Sequence, residues 1–557
     1  MASTNLFSWV LVDLGEVTTS AVAVSLGALL LLIFALQVAR REDGPPTLND
    51  PIPGIFNALQ FMFDNNTFML RVQRALKNNN LMRFYIIRKP VYLATGPAAV
   101  KAMFGRELMH HVTNQEQMVL FAMPTLQKMN REEVRRWVDD KSGATKTPLP
   151  GTAEGIPQRQ RLWYTYEHIH VEYLGKPQNL HPLVNLFSSK MELALERYPI
   201  GQWVTVSVQD MCRQELAASA METLFGPELI GLTPDFVSRF WRFDRNAFKL
   251  IVGVPKWIDP AVHETHNHFV DGIGTWLENG LSKMNWNGPD TDANWEPLFG
   301  GRVVRELVKW MLETNWRKEV IAATLGALIF GLTSNSVPVT IWMLMEMIQD
   351  PSLLQAVREE VATAMVIDPK TGNQTLSSHK LVALPLLQSI WTETLRLRIN
   401  FNITRDVKQP VTINGHLIPK GSILQAPMMV SHCMEDVWAA DGHPASEFWA
   451  ERHVKYIDEI DALGQISRKR VFAMAGDATS YFPFGGGINI CPGRQFAKFE
   501  VFSAIGLILS RFDIELIGWT QTDGKPSDRA ARADLRYSGA GAMPPDRDMK
   551  IRWRRIA

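Results

Sequence analysis

The chain has 557 residues, 46% of them apolar and 21% charged, enough to fill a large core and too many apolar groups for a disordered chain. Its 58 basic residues balance 57 acidic ones, which argues against nucleic acid or an anionic partner and for a neutral, lipophilic ligand. Three cysteines, Cys212, Cys433 and Cys491, exclude a secreted disulfide framework.

In chain order, residues 1–16 read as a short N-terminus. Residues 17–39 carry no charge and include Ala28-Leu29-Leu30-Leu31-Leu32-Ile33-Phe34, so they can cross a bilayer core that needs about 20 apolar residues. Arg40 and Arg41 follow, which predicts a lumenal N-terminus and a cytoplasmic body. A cleaved signal peptide fits less well, because no basic stretch precedes the apolar run and no small-residue cleavage site follows it. Residues 40–54, with Gly44-Pro45-Pro46, Pro51 and Pro53, read as a stiff non-helical hinge, and residues 55–557 as one large catalytic domain.

Within that body, Lys141 to Gly155 has the Gly, Pro, Thr and Lys content of an exposed loop, and Cys212 and Cys433 read as small buried hydrophobes. Val320 to Met345 is a second uncharged run. Thr333-Ser334-Asn335-Ser336 and Pro338 make its centre unsuited to lipid, so the expectation is a helix through the protein core that touches a ligand where Pro338 disturbs it. Helical spacing of apolar residues recurs over Pro351–Ala364 and Leu381–Arg398, while Val411 to Ile418 reads as a hairpin around Asn414-Gly415. The fold class is therefore mainly α with small β-sheets.

Cys491 lies in Phe482-Pro483-Phe484-Gly485-Gly486-Gly487-Ile488-Asn489-Ile490-Cys491-Pro492-Gly493-Arg494. Glycines let the backbone fold tightly against a flat ligand and aim amides at the sulfur, and Pro492 can open a helix whose N-terminal dipole favours thiolate. No Lys-Ser or Lys-Thr follows the glycines, so a phosphate loop is disfavoured, and a single cysteine makes no zinc site.

Phe484, Gly487, Cys491 and Gly493 match the cysteine-loop motif of the cytochrome P450 family, which the chain resembles from its apolar N-terminus to its C-terminal sheet. The resemblance implies the P450 fold with an N-terminal transmembrane helix, heme b (iron protoporphyrin IX) as cofactor, and Cys491 as the axial ligand of its iron. It further implies that Glu393 and Arg396 pair and are joined by Arg452, that Arg405 and Phe484 contact the heme, and that His432 is structural. Ala450 departs from the Pro common beside that second arginine. Gly331 to Pro338, Glu393 to Arg405 and Gly541 to Pro545 are similar to the branch of steroid 7α- and 12α-hydroxylases and prostacyclin synthase.

Two departures bear on mechanism. Where the family carries an acid and Thr on the central helix, this chain has Ser334 and Asn335, the latter still able to donate a hydrogen bond beside the reaction. Asn489 replaces a basic residue common before the thiol, and no Trp and Arg pair is evident between Trp163 and Tyr173. The expected substrate pocket is Phe330, Asn335, Phe401 and Met543. What the resemblance implies is a monooxygenase of the endoplasmic reticulum membrane that oxidises a lipophilic steroid-, terpenoid- or secondary-metabolite-like compound, fed by NADPH-cytochrome P450 reductase. A redox-neutral isomerase or dehydratase, and a heme- or sterol-binding protein without turnover, stay open at this point.

Overall fold

The computed structural model describes residues 44–76, 80–367, 372, 374–460 and 466–556; the expected anchor at 17–39 lies outside the described residues. The site is framed by helices α1 (Leu162–Gly175), α2 (Pro177–Glu196), α3 (Phe236–Asp244), α4 (Pro260–Lys283), α5 (Lys318–Ile348), α6 (Pro385–Arg398) and α7 (Arg494–Arg511). Helix α5 is apolar around its whole circumference, so every face needs cover. It finds that cover against α3, α4, α6 and α7. Among the described residues it is also the one helix long and apolar enough to span a membrane, and most of that window is buried inside the protein.

The disturbance expected at Pro338 does not break α5, which runs unbroken from Lys318 to Ile348. The ring removes one donor. Around it, Ser336 Oγ donates to the Leu332 carbonyl at 2.8 Å and Thr340 Oγ1 to the Ser336 carbonyl at 2.9 Å, so side-chain hydroxyls serve the neighbouring turns. Downstream, the expected helices are observed at Pro351–Ala362 and at α6. Pro385 holds Leu384 extended, so Ser378–Leu381 is a separate short turn rather than the first turn of α6.

The main sheet contains β1 (Leu81–Ile86), β2 (Lys89–Ala94), β3 (Val112–Thr113), β4 (Ile399–Val407), β5 (Ile423–Pro427) and β6 (Ala540–Ala542), in the order β1-β2-β5-β4-β6 with β3 also on β4. Only β5 and β2 run parallel. A second sheet joins Phe512–Thr520, Asp548–Arg555 and Trp203–Ser207. The hairpin expected around Asn414-Gly415 is present, with both residues at positive φ as a tight two-residue turn requires.

Two connectors are tied to the body by hydrogen bonds. The described part of the hinge is non-helical and bonds to β1: Arg83 N–H donates to the Pro46 carbonyl, Leu48 N–H to the Arg83 carbonyl, and the Arg83 guanidinium to Thr47 Oγ1. The loop from Lys141 to Gly155 is mostly exposed, but its first residues wrap the buried Arg161, which donates to the carbonyls of Ser142, Gly143, Thr145 and Lys146.

Candidate active site

The glycine-rich loop closes on itself before α7. Gly485 and Gly487 sit at φ +72° and +67°, and a Cβ at Gly486 would lie 2.5 Å from the Phe104 ring, so the tight path demands these residues. Cys491 N–H donates to the Phe484 carbonyl at 3.0 Å and Arg494 Nη1 to the Cys491 carbonyl at 2.9 Å. Burial raises the Cys491 pKa; the N–H groups of Gly493 and Arg494, at the start of α7, point at the sulfur and oppose that rise.

A cavity of about 540 Å³ opens on this thiol. One wall is α5, with Leu328, Gly331 and Asn335; another is the cysteine loop and α7, with Phe484, Cys491 and Ala497; β4 adds Phe401 and Arg405. Five of the expected residues thus share one space: Cys491, Phe484, Arg405, Asn335 and Phe401. Phe330 and Met543 do not line it. Phe330 turns to meet the Phe243 ring edge-on at 5.9 Å. Met543 is buried by its backbone bonds, its N–H to the Arg398 carbonyl and its carbonyl to Trp342 Nε1, both at 2.8 Å.

The polar groups on the wall are few and incompletely matched. Arg405 is 8% exposed and donates only to the carbonyls of Thr404 and Gly486, with no carboxylate in ion-pair reach among the described residues. Burial pushes its pKa down to about 10. A buried cation of this kind calls for an anion. Asn335 Oδ1 accepts from Ala542 N–H at 3.0 Å, which leaves its NH2 group to meet water or ligand. The donor set, a thiol under amide hydrogens and an unpaired guanidinium on an apolar cavity, fits a flat apolar group that carries carboxylates and a metal with affinity for sulfur.

Behind the cavity, Glu393, Arg396 and Arg452 form a closed cluster with no exposed side-chain surface. Arg396 grips Glu393 with Nη2 and Nε at 2.7 and 2.8 Å, and Arg452 Nε reaches the same carboxylate at 2.8 Å. The remaining guanidinium hydrogens go to the carbonyls of His432, Ala445, Trp438, Pro444 and Glu447. Against burial, which would raise it, hydrogen bonds from Arg396, His453 and Arg452 hold the Glu393 pKa down to about 2. His432 Nε2 accepts from Phe482 N–H and Nδ1 faces the Arg396 carbonyl, so a neutral imidazole ties the cluster to the cysteine loop. Burial keeps it neutral, with a pKa near 3.

Residues not anticipated from sequence also reach the cavity. Glu500, on α7, is 1% exposed, has one oxygen without a partner and the other 3.3 Å from Ser336 Oγ, and burial raises its pKa to about 8. Its signal was available: a lone acid heading the uncharged run Val501 to Ser510. Tyr166, Glu167 and His170 of α1 line the wall where a Trp and Arg pair was sought. Trp163 is committed elsewhere, its Nε1 donating to the Trp137 carbonyl at 2.9 Å, and Arg161 to its loop.

Comparison with known proteins agrees with this arrangement. The family profile named Cytochrome P450 matches residues 309–532, from the helix before α5 through the cysteine loop. The cytochrome P450 monooxygenase calL of Penicillium decumbens is 37% identical over 95% of this chain and 96% of its own length. The cytochrome P450 monooxygenase fsoE of Humicola fuscoatra is 28% identical over 92% of this chain and 87% of its own. The human 7-alpha-hydroxycholest-4-en-3-one 12-alpha-hydroxylase is 30% identical over 41% of this chain and 44% of its own length. With a thiol-bearing loop, a buried Glu-Arg-Arg cluster and a full-length likeness of this extent, the chain belongs to the cytochrome P450 family of heme-iron monooxygenases.

Proposed function

We propose that this protein is a membrane-anchored heme b monooxygenase in which Cys491 is the axial thiolate, oxidising a lipophilic steroid-, terpenoid- or secondary-metabolite-like substrate with electrons from NADPH through a separate reductase. The observation that carries the reading is that Cys491 and the uncompensated Arg405 share one apolar cavity. When bound, thiolate-ligated heme iron activates dioxygen for insertion of one oxygen atom into a C–H or C=C bond.

The chain's own residues do the rest. The amides of Gly493 and Arg494 favour the ionised sulfur. Arg405 would hold a heme carboxylate, and Phe484 would pack against the bound ring. Phe401, Leu332 and Gly331 hold the substrate by shape, while the Asn335 amide donates to oxygen or water beside it. Glu393, Arg396 and Arg452 lock the segments that carry the loop. The substrate class is supported by the apolar wall and by the steroid named for the human relative.

Membrane association draws support from the uncharged run at 17–39 and from the helix Phe56–Phe63 just after the hinge, where Leu59, Met62 and Phe63 are exposed, the last at 80%. The body is cytoplasmic on the endoplasmic reticulum, in line with Arg40 and Arg41.

The test is a carbon monoxide difference spectrum of the reduced protein, followed by incubation with reductase, NADPH and a panel of lipophilic candidates, read as added oxygen by mass. Wild type shows the thiolate signature and an oxygenated product. Cys491→Ala abolishes both; retention of either in that variant refutes the ligand assignment.

A further inference from the structure

Beside the cavity, α1 meets the helices Arg131–Asp139 and Arg302–Glu313 in a group of aromatic rings that the site as described does not use. Tyr166 of α1 lines the cavity that holds Cys491, and it also lines a narrow gap shared with Trp137, Trp310 and Met311. From Tyr166 the rings are continuous. Tyr166 meets Trp137 edge-on at 5.9 Å between centroids, and Trp137 meets Trp163 edge-on at 4.8 Å. Trp310 and Trp316 complete the group, 6.3 and 6.0 Å from Trp137. Four of the chain's 17 tryptophans thus crowd round one tyrosine at the reaction cavity. Packing alone does not ask for them. Phe or Leu fills a core without an indole N–H to satisfy, whereas Trp137 and Trp316 bury theirs with no acceptor among the described residues.

What surrounds each ring decides what it can lose. The Tyr166 phenol keeps its proton, its pKa pushed up to about 12 by burial first and then by the Glu167 charge, so an electron leaves it together with that proton. Trp137 has no acceptor for its N–H and gives up an electron alone. Trp316 lies under the Arg136 guanidinium, 3.9 Å from the ring centroid, and a cation in that position disfavours a positive ring. Trp163 is placed otherwise. Its indole N–H donates to the Trp137 carbonyl at 2.9 Å, which enriches the ring in electrons, and at 7% it is the most exposed of the four tryptophans. The open path from cavity to solvent is therefore Tyr166, Trp137, Trp163.

We propose that Tyr166, Trp137 and Trp163 form an electron-donating chain that discharges the cavity when activated oxygen finds no substrate there, and that a small one-electron reductant of the ascorbate or thiol class refills it at Trp163. The proposal rests on the monooxygenase reading above and adds a fate for the unspent oxidant. Tyr166 gives one electron and its phenolic proton to the oxygen. Trp137 returns an electron to Tyr166, whose phenoxyl oxygen takes a proton from cavity water. Trp163 returns an electron to Trp137, and the external reductant returns one to Trp163. The one bond of the chain that breaks and re-forms is the Tyr166 O–H. Two passes supply two electrons and two protons, and the oxygen atom leaves as water. Excluding competing reactions is the protein's task around such a cofactor, and Met311, which shares the gap with these rings, is a side chain that stray oxidant converts to the sulfoxide.

The experiment uses the full chain with its heme, as wild type, Tyr166→Phe, Trp163→Phe and, for control, Trp257→Phe, whose ring is 83% exposed and outside the cluster. Carbon monoxide spectra first establish that each variant holds its heme. Peracetic acid then supplies oxidising equivalents in the absence of substrate, and rapidly frozen samples are read by electron paramagnetic resonance. Wild type and Trp257→Phe give an aromatic radical whose line shape changes when the tryptophans are ring-deuterated, and ascorbate quenches that radical and slows bleaching of the heme. Tyr166→Phe loses the radical and bleaches equally fast with or without ascorbate. Trp163→Phe keeps a radical that ascorbate no longer quenches. A Tyr166→Phe protein that retains the radical, a Trp163→Phe protein quenched like wild type, or a Trp257→Phe protein that loses the signal overturns the chain. If Tyr166→Phe fails to hold heme, Trp163→Phe carries the same expectation and the same refutation. A wild type without the thiolate spectrum brings down the heme reading and the chain together, whereas a normal spectrum with no aromatic radical brings down the chain alone.

Discussion

The buried cluster around Glu393 and the wall around Cys491 are both polar islands in an apolar interior, and they are built on opposite terms. In the first, a carboxylate, two guanidiniums and a ring of carbonyls satisfy one another with no accessible surface left. In the second, among the described residues, Arg405 has no counter-charge, Glu500 leaves an oxygen without a partner, and Asn335 keeps an amide group free. Burying an unmatched polar group is costly, so a wall that keeps several is one whose partners arrive with the ligand. Saturation marks structure here, and spare valence marks chemistry.

That contrast can be broken by substitution. The largest effect is expected at Glu393→Ala, which strands two guanidiniums in the core and lowers stability by about 3–5 kcal/mol in denaturant unfolding. Because the folded pKa of Glu393 is about 2, below its ordinary 4.5, the stability it supplies is full above pH 4.5 and disappears as pH falls toward 2; Glu393→Gln loses that acid limb. If the cluster tolerated alanine with little change, saturation would not be what holds it.

Arg405→Gln should be milder and of a different kind. The apoprotein keeps its stability or gains slightly, because an unpaired buried charge is gone, while heme retention weakens by about 1.5–3 kcal/mol, measured by transfer of heme to an acceptor protein. Equal heme retention in variant and wild type would show that the guanidinium has no anionic partner.

Smallest is Glu500→Gln. The folded group keeps its proton to about pH 8 against 4.5 in the unfolded chain, so the stability it contributes is full below pH 4.5 and declines as pH rises to about 8. Gln removes that slope, so the variant's stability no longer falls between acid and neutral pH, read from unfolding at a series of pH values. A wild-type pH slope surviving in the variant would assign it to another group.

How much of this was legible in the sequence follows from distance along the chain. The cysteine loop, the Glu393-Arg396 spacing and the hairpin at Asn414-Gly415 are local, and local pattern carries them. The uncharged centre of α5 reads as a core helix, although its continuity through Pro338 depends on hydroxyls whose roles emerge only in three dimensions. Phe330 and Met543 were expected at the cavity from their neighbours in sequence, and helix phase and backbone bonding turn them elsewhere. The Ser334–Asp244 hydrogen bond is invisible for the opposite reason: its acid comes from a segment 90 residues upstream whose Arg239, Arg242 and Arg245 give it the look of an ordinary solvated helix.

In the proposed reading Asn335 does two jobs with one amide, and this constrains how the protein can diversify. Its oxygen fastens Ala542 of β6 to α5, and Gly541 beside it sits at φ +149° with room for no Cβ between Asn335 Oδ1 and the Phe401 ring. Any exchange at 335 that alters the chemistry over the substrate also unpins an edge strand, so the two traits are inherited as one. New substrate ranges are reached more cheaply through Leu332 and Phe401, which touch the cavity without holding the scaffold by a side-chain bond, and a library built to retarget the enzyme should spend its diversity there.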